Sequence, residues 1–168
     1  MTDRPFDPVV LIRTLFDHGV QFIVIGGVAA RARGSPTVTV DLDICYERSL
    51  ANLVRLASAL QLLGAQLRGA ETGLPFRLDA RTLELGDTFT FSTVDGDLDC
   101  LGTPSGTNGF ADLLVDSDEA DFDGCPVKVA SLKDLMRMKR AAGRLKDRVE
   151  LEILEALRQE IERSETSA

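Results

Sequence analysis

Apolar positions along this chain fall at helical spacing in some stretches and at strand spacing in others. Residues three or four apart share a helix face, whereas alternate residues share a face of a strand. The stretch PVVLIRTLFDHG places Val9, Ile12, Leu15 and Phe16 on one helical face, with Asp7 as N-cap, Pro8 at the first turn and Gly19 as the stop. Residues 21–25 are a short continuous apolar run, which predicts a buried strand. The Gly26-Gly27 pair after it removes side chains where the backbone turns sharply or a ligand approaches closely. A short helix over 28–33 and a β-branched strand over 38–45 follow. Residues 49–63 predict an amphipathic helix with Leu50, Leu53, Val54, Leu56, Ala57 and Leu60 inward and Gly64 as its end.

The middle of the chain is less regular. Residues 65–67 read as a short strand, and 69–86 has no clear period beyond a helical stretch at 79–84. Thr88–Thr93 alternates Thr and Phe, and 97–101 follows across Val94-Asp95-Gly96, the pattern of a β-hairpin. After a loop at 102–109 and a short helix at 110–115 comes the acidic run DSDEADFDG. Its Asp-X-Asp-X spacing is not followed by the glycine and the distant glutamate of a calcium loop, so it predicts a solvated loop. Cys125–Val129 reads as a strand. Ser131 caps a helix over Leu132–Ala142 that stops at Gly143, and a last helix covers 146–163 before a frayed SETSA tail.

These elements predict an α/β (α+β) fold. At 168 residues the chain has the size of one domain, 1–168, with a core over about 20–130 and a C-terminal helical part over about 131–163. No apolar run approaches the ~20 residues of a membrane span, and the Met1–Pro5 start lacks the pattern of a signal peptide, so the expected location is the cytoplasm. The three cysteines, Cys45, Cys100 and Cys125, are far apart in apolar contexts and predict small core residues rather than disulfides or a zinc site. The single histidine, His18, sits near a helix C-terminus, where a cation is favoured.

Charge changes the picture through its distribution. The net charge of -8 argues against an indiscriminate nucleic-acid coat. Between Glu71 and Asp123 there are thirteen acidic residues against two basic ones, and from Lys128 to Arg148 eight basic against two acidic. The second segment can present a local cationic face despite the overall sign.

Two acidic pairs carry candidate chemistry. Asp41 and Asp43 flank Leu42 on one strand, and Asp97 and Asp99 flank Leu98 on another, so each pair projects from one face. Like charges held side by side repel unless a cation lies between them. Three such carboxylates form a hard oxygen cluster suited to Mg²⁺ or Mn²⁺. On the 132–142 helix, Lys139 falls on the stripe of Leu132, Leu135, Met136 and Ala142, whereas Lys133, Arg137, Arg140 and Arg144 lie off it. An inward lysine needs an anion, either a phosphate or a carboxylate. Lys146, seven before Ile153, also points toward the same region, and Asp147 is a first-turn acid of the last helix.

The Gly26-Gly27 pair, the thirteen residues before Asp41-Leu42-Asp43, and the later strand aspartate resemble the nucleotidyltransferase superfamily. The stretch SLKDLMRMKRAAGRLKDRVELEIL is similar to the matching helices of the AbiEii and MenT-type nucleotidyltransferases of bacterial toxin-antitoxin systems. The resemblance spans about 20–157. It implies a nucleotidyltransferase-like mixed sheet flanked by helices, with the C-terminal helices closing a cleft, and transfer of a nucleoside monophosphate from an NTP to an acceptor hydroxyl. Asp41, Asp43 and Asp99 would be the metal-binding and catalytic acids, with Asp97 the competitor for the third place. Gly26, Gly27, Ser35, Lys139, Lys146 and Asp147 would bind the nucleotide; many members carry serine where Gly27 stands, and Ser35 is the candidate replacement. Arg137, Arg140 and Arg144 would line the acceptor, which in toxin-type members is the 3′ end of tRNA, and a cognate antitoxin protein would be a partner. A small-molecule acceptor such as an antibiotic, or a binding module without turnover, are the alternatives.

Overall fold

The computed structural model describes residues 5–71 and 75–167; the 1–4 start and part of the irregular 69–86 stretch, 72–74, lie outside the described residues. Helix α1 (Pro8–Asp17) opens as its sequence predicts, with the Asp7 carboxylate accepting from the amides of Val9 and Val10. Its buried face is Leu11, Ile12 and Leu15, and Phe16 is exposed. Strand β1 (Phe22–Ile25) is buried throughout and runs directly into α2 (Gly26–Ala32), so the helix begins on the glycine pair rather than after it. Strand β2 (Asp41–Tyr46) starts three residues later than its β-branched run predicts. Pairing supplies the reason: β2 meets its neighbours only from Asp41 onward, and Val38 and Val40 before it are exposed.

Helix α3 (Leu50–Leu62) is capped by the Ser49 hydroxyl, which accepts from the amide of Asn52. Leu53, Leu56, Ala57 and Leu60 are buried, but Leu50 and Val54, expected in the core, face solvent; they flank a stripe that the packed face does not use. β3 (Gln66–Leu67), α4 (Ala80–Leu85), and the β4 (Thr88–Thr93) and β5 (Gly96–Leu101) hairpin then build one side of the sheet. After α5 (Phe110–Leu114), the acidic run departs from the solvated loop it predicts. It forms an edge strand, β6 (Asp118–Phe122), paired antiparallel with β7 (Cys125–Val129). Ala120 and Phe122 pack against the core while Asp118, Glu119 and Asp121 stay exposed, and charged residues on an edge strand oppose pairing with other chains.

Helix α6 (Leu132–Ala142) has its predicted bounds, with Ser131 accepting from the Asp134 amide and Gly143 left-handed at φ 64°. Helix α7 (Leu145–Thr166) runs into the tail that was expected to fray. Among the described residues seven strands form one mixed sheet in the order β3-β4-β5-β2-β1-β7-β6. At its centre β2 pairs parallel with β5 and antiparallel with β1. This register sets Asp41 beside Asp97 and Asp43 beside Asp99, with Ile25 on the other side of Asp43. Leu42, Leu98 and Cys100, the intervening positions, are fully buried. Among the described residues no helix is long and apolar enough to cross a membrane.

Candidate active site

One carboxylate oxygen from each of Asp41, Asp43 and Asp99 falls within 4.8 Å of the others. The alternation of β2 and β5 puts these acids on the sheet face opposite Leu42 and Leu98, and the parallel register brings the strands' pairs level. Burial, then the neighbouring charges of Asp41 and Asp99, push the Asp43 carboxyl up to about 7, against the partial relief of Lys139. An all-oxygen, under-neutralised donor set of this kind fits a hard divalent ion.

Asp97 takes a different position. Arg68, just past β3, reaches across β4 and forms ion pairs with Asp97 at 3.0 Å and with Asp99 at 2.5 Å. Arg68 holds both acids, but only Asp99 brings a carboxylate oxygen into the group with Asp41 and Asp43.

The glycine pair meets the trio through space. Gly26 has φ 66°, and a Cβ there would lie 2.1 Å from Oδ2 of Asp43, so neither the backbone conformation nor the room admits a side chain. A Cβ on Gly27 would lie 2.7 Å from both Cβ and Oγ1 of Thr39. Ser35 is buried in the same wall, its hydroxyl bonded to that of Thr37 at 2.9 Å and accepting from the Thr37 amide. These residues and the acids line a cleft of about 380 Å³ closed on its other side by α6 and α7, including Leu135, Met138, Lys139, Arg144, Lys146 and Asp147.

Lys139 points inward as its helical position predicts, and the anions it meets in the structure are carboxylates. It pairs with Asp147 at 3.3 Å and with Glu150. Asp147 is 1% exposed and accepts from both the amide and the Nε of Arg144, at 3.1 and 2.7 Å. The Arg144 contact, more than Lys139, holds its carboxyl below the usual carboxylate range. The first-turn acid of α7 is thus also the buried anchor between the two helices. Lys146 is exposed at the cleft mouth and has no ion pair among the described residues.

The basic off-stripe residues are mostly occupied within the protein. Arg137 pairs with Asp112 and Asp134, both at 3.1 Å, Lys133 with Asp116, and Arg144 with Asp147. Arg140 is exposed without an ion pair among the described residues. The cysteines are buried and unbridged, and burial pushes the Cys45 thiol up to about 12, as fits inert core residues. The His18 ring lies 2.7 Å from the Thr14 carbonyl at the end of α1, remote from this site.

No protein-family model matches the chain, and no curated protein matches it in sequence. Solved structures do match its architecture. LnuA, a lincosamide antibiotic adenylyltransferase solved with lincomycin bound, superposes with a TM-score of 0.59 at 13% identity, over 92% of this chain and 99% of LnuA. The fold is a nucleotidyltransferase fold. TM1012 of Thermotoga maritima, a proposed nucleotidyltransferase, has it too, with a TM-score of 0.57 at 14% identity, over 96% of this chain and 98% of its own. So does ANT(2'')-Ia, an antibiotic-resistance factor, with a TM-score of 0.53 at 17% identity, over 95% and 93%.

Within this nucleotidyltransferase fold, three site neighbours escaped the sequence reading. Glu150 stands three after Asp147 on α7 and so shares its face, a signal open to helical counting. Thr39 stands two before Asp41, a spacing that continues the alternation of the acidic pair. Arg68 had no local signal, since only the pairing of β3 with β4 brings it near β5.

Proposed function

We propose that the chain is a metal-dependent nucleotidyltransferase of the cytoplasm that moves a nucleoside monophosphate from a nucleoside triphosphate to an acceptor hydroxyl, releasing pyrophosphate. The observation that carries this reading is the convergence of Asp41, Asp43 and Asp99 in one cleft with the Gly26-Gly27 pair and Lys139. The three acids would hold Mg²⁺ or Mn²⁺, which when bound supplies neutralising charge to the phosphoryl group in transfer. Asp99 takes the proton of the acceptor hydroxyl as that oxygen attacks the α-phosphorus; Asp97, outside the cluster of three, is the second choice. Gly26 and Gly27 let the phosphates approach the backbone, with Ser35 in the adjoining wall. Lys139 exchanges its more exposed partner, Glu150, for a phosphate oxygen and keeps the buried Asp147, so the ammonium and the buried carboxylate both stay paired. Lys146 meets the phosphates at the cleft mouth, and Asp147 holds Lys139 in reach.

For the acceptor we favour a small hydroxyl compound. Arg137 and Arg144 already have carboxylate partners, and the cleft lining includes the uncharged Thr88, Thr90, Leu101, Pro104, Ser105 and Met138. Two of the similar folds belong to an antibiotic adenylyltransferase solved with lincomycin and to an antibiotic-resistance factor. Arg140 and Lys146 sustain the second reading, an RNA 3′ end in a toxin-antitoxin setting with a cognate antitoxin, because both cations are exposed and have no ion pair among the described residues.

The test is incubation with Mg²⁺ or Mn²⁺, each labelled triphosphate, and separate pools of total RNA and of hydroxylated small molecules, aminoglycosides and lincosamides included. Label is expected in the small-molecule pool, and Asp43→Ala abolishes it. Absence of transfer to every acceptor, or transfer that survives this substitution, defeats the mechanism; label in RNA alone selects the second reading.

A further inference from the structure

We propose that Thr39 is a positioning residue that holds the Asp41 carboxylate in place for the divalent ion, and that Gly27 is glycine to make room for it. The inference rests on the metal-dependent reading above and adds a residue that reading does not use.

Thr39 lines the cleft two residues before Asp41. Its hydroxyl lies 3.1 Å from the Asp41 carbonyl oxygen and 3.3 Å from Oδ1 of the Asp41 carboxylate, so its one proton is shared between them. A hydroxyl bridging a residue's carbonyl and carboxylate restricts that side chain's rotation. Restriction matters here because the Asp41 charge faces those of Asp43 and Asp99, and unrestrained like charges turn apart. Outer partners of this kind fix a ligand's orientation in metal sites.

The second observation concerns space. A Cβ on Gly27 would fall 2.7 Å from both Cβ and Oγ1 of Thr39, inside contact distance. Gly27 is not among the positive-φ glycines, so its backbone accepts any residue and only the room is lacking. The first turn of α2 and the threonine are therefore fitted to each other, and a side chain at 27 would displace the hydroxyl from Asp41. The other hydroxyls of this segment, on Ser35 and Thr37, bond to each other; Thr39 is the one that reaches the acids.

The experiment measures Mn²⁺ affinity by titration calorimetry or electron paramagnetic resonance on the triphosphate-free protein, with turnover measured separately. Thr39→Val keeps the branched shape and removes the hydroxyl. It is expected to weaken Mn²⁺ binding about tenfold and to lower kcat, while triphosphate KM at saturating Mn²⁺ holds. Thr39→Ser restores the wild-type affinity. Gly27→Ala, which pushes Thr39 aside, weakens Mn²⁺ binding as Thr39→Val does. A Thr39→Val protein with wild-type melting temperature and wild-type Mn²⁺ affinity overturns the inference alone. Wild-type protein that binds no Mn²⁺ overturns the metal-dependent reading, and this inference with it.

Discussion

The two walls of the cleft treat charge in opposite ways. On the sheet, Asp41, Asp43 and Asp99 crowd together with Arg68 as their nearest paired cation, and that arginine is shared with Asp97. On the helices, Lys139 and Arg144 are matched by Asp147 and Glu150 with short contacts. The acidic wall is left under-neutralised, so it can gain by taking a cation. At Lys139 and Arg144 the basic wall is already satisfied, so these pairs hold the helices together until a better anion arrives. A cluster that pays a standing electrostatic cost points more strongly to ligand binding than one that does not.

The acidic wall should show the largest effect. Asp43→Asn removes the most crowded carboxylate and is expected to lower transfer by at least about 10²–10³-fold. It should raise the melting temperature of the metal-free protein at the same time. Because burial and the neighbouring carboxylates raise the Asp43 carboxyl to about 7, above its value in the unfolded chain, stability is lost as pH rises between those two values, and the full cost stands above about 7. At pH 8 the gain should be a few degrees, at about 2–4 °C per kcal/mol of repulsion relieved. Scanning calorimetry with and without Mn²⁺ checks both halves: wild type gains stability from the ion and the variant does not. A metal-free variant that melts below wild type removes the contrast between the walls.

Next in size is the basic wall under load. Lys139→Met is expected to raise triphosphate KM about tenfold, near the ~1.5–3 kcal/mol of one charge-assisted hydrogen bond. Mn²⁺ affinity without triphosphate should change far less. If the substitution weakens Mn²⁺ binding as strongly as it weakens triphosphate binding, the walls do not divide the work as described.

These residues also show what a sequence can reveal. Asp41, Asp43 and Asp99 were legible because strand alternation alone fixes which neighbours share a face, and Lys139 because helical counting places it on an apolar stripe. The neutralisation of the basic rail was not legible. Arg137 meets Asp112 across two elements, and Arg68 meets Asp97 and Asp99 across an intervening strand. Pairing decided the acidic run as well: composition made 116–124 a loop, whereas backbone bonding to β7 made most of it a strand. The late start of β2 has the same cause, since β-branched residues form a strand only where a partner strand exists.

A smaller change should sharpen the acidic wall. Arg68→Gln removes the cation that holds Asp97 and Asp99, leaving the trio more negative and Asp99 less fixed. Mn²⁺ affinity is expected to hold or improve, because a positive charge has gone. Turnover should fall about tenfold as the third acid loses its orientation. Parallel loss of affinity and turnover would make Arg68 a prop of the sheet edge instead.

The smallest effect lies in the acid dependence of the satisfied wall. Asp147 has its carboxyl held low, chiefly by Arg144 and then by Lys139, so its stabilisation is complete above the unfolded value of about 3.9. It fades as pH falls through the lower folded value. Asp147→Asn is therefore expected to melt below wild type at pH 7, with the gap narrowing once pH falls below the unfolded value, because wild type loses the advantage of its charged carboxylate there. Melting curves of both proteins from pH 3 to 7 test this, and the difference between them isolates Asp147 from the other carboxylates. A gap that stays constant across the range would mean that Asp147 acts through shape and neutral hydrogen bonding, and the charge matching assigned to the helical wall would fail at its best-buried member.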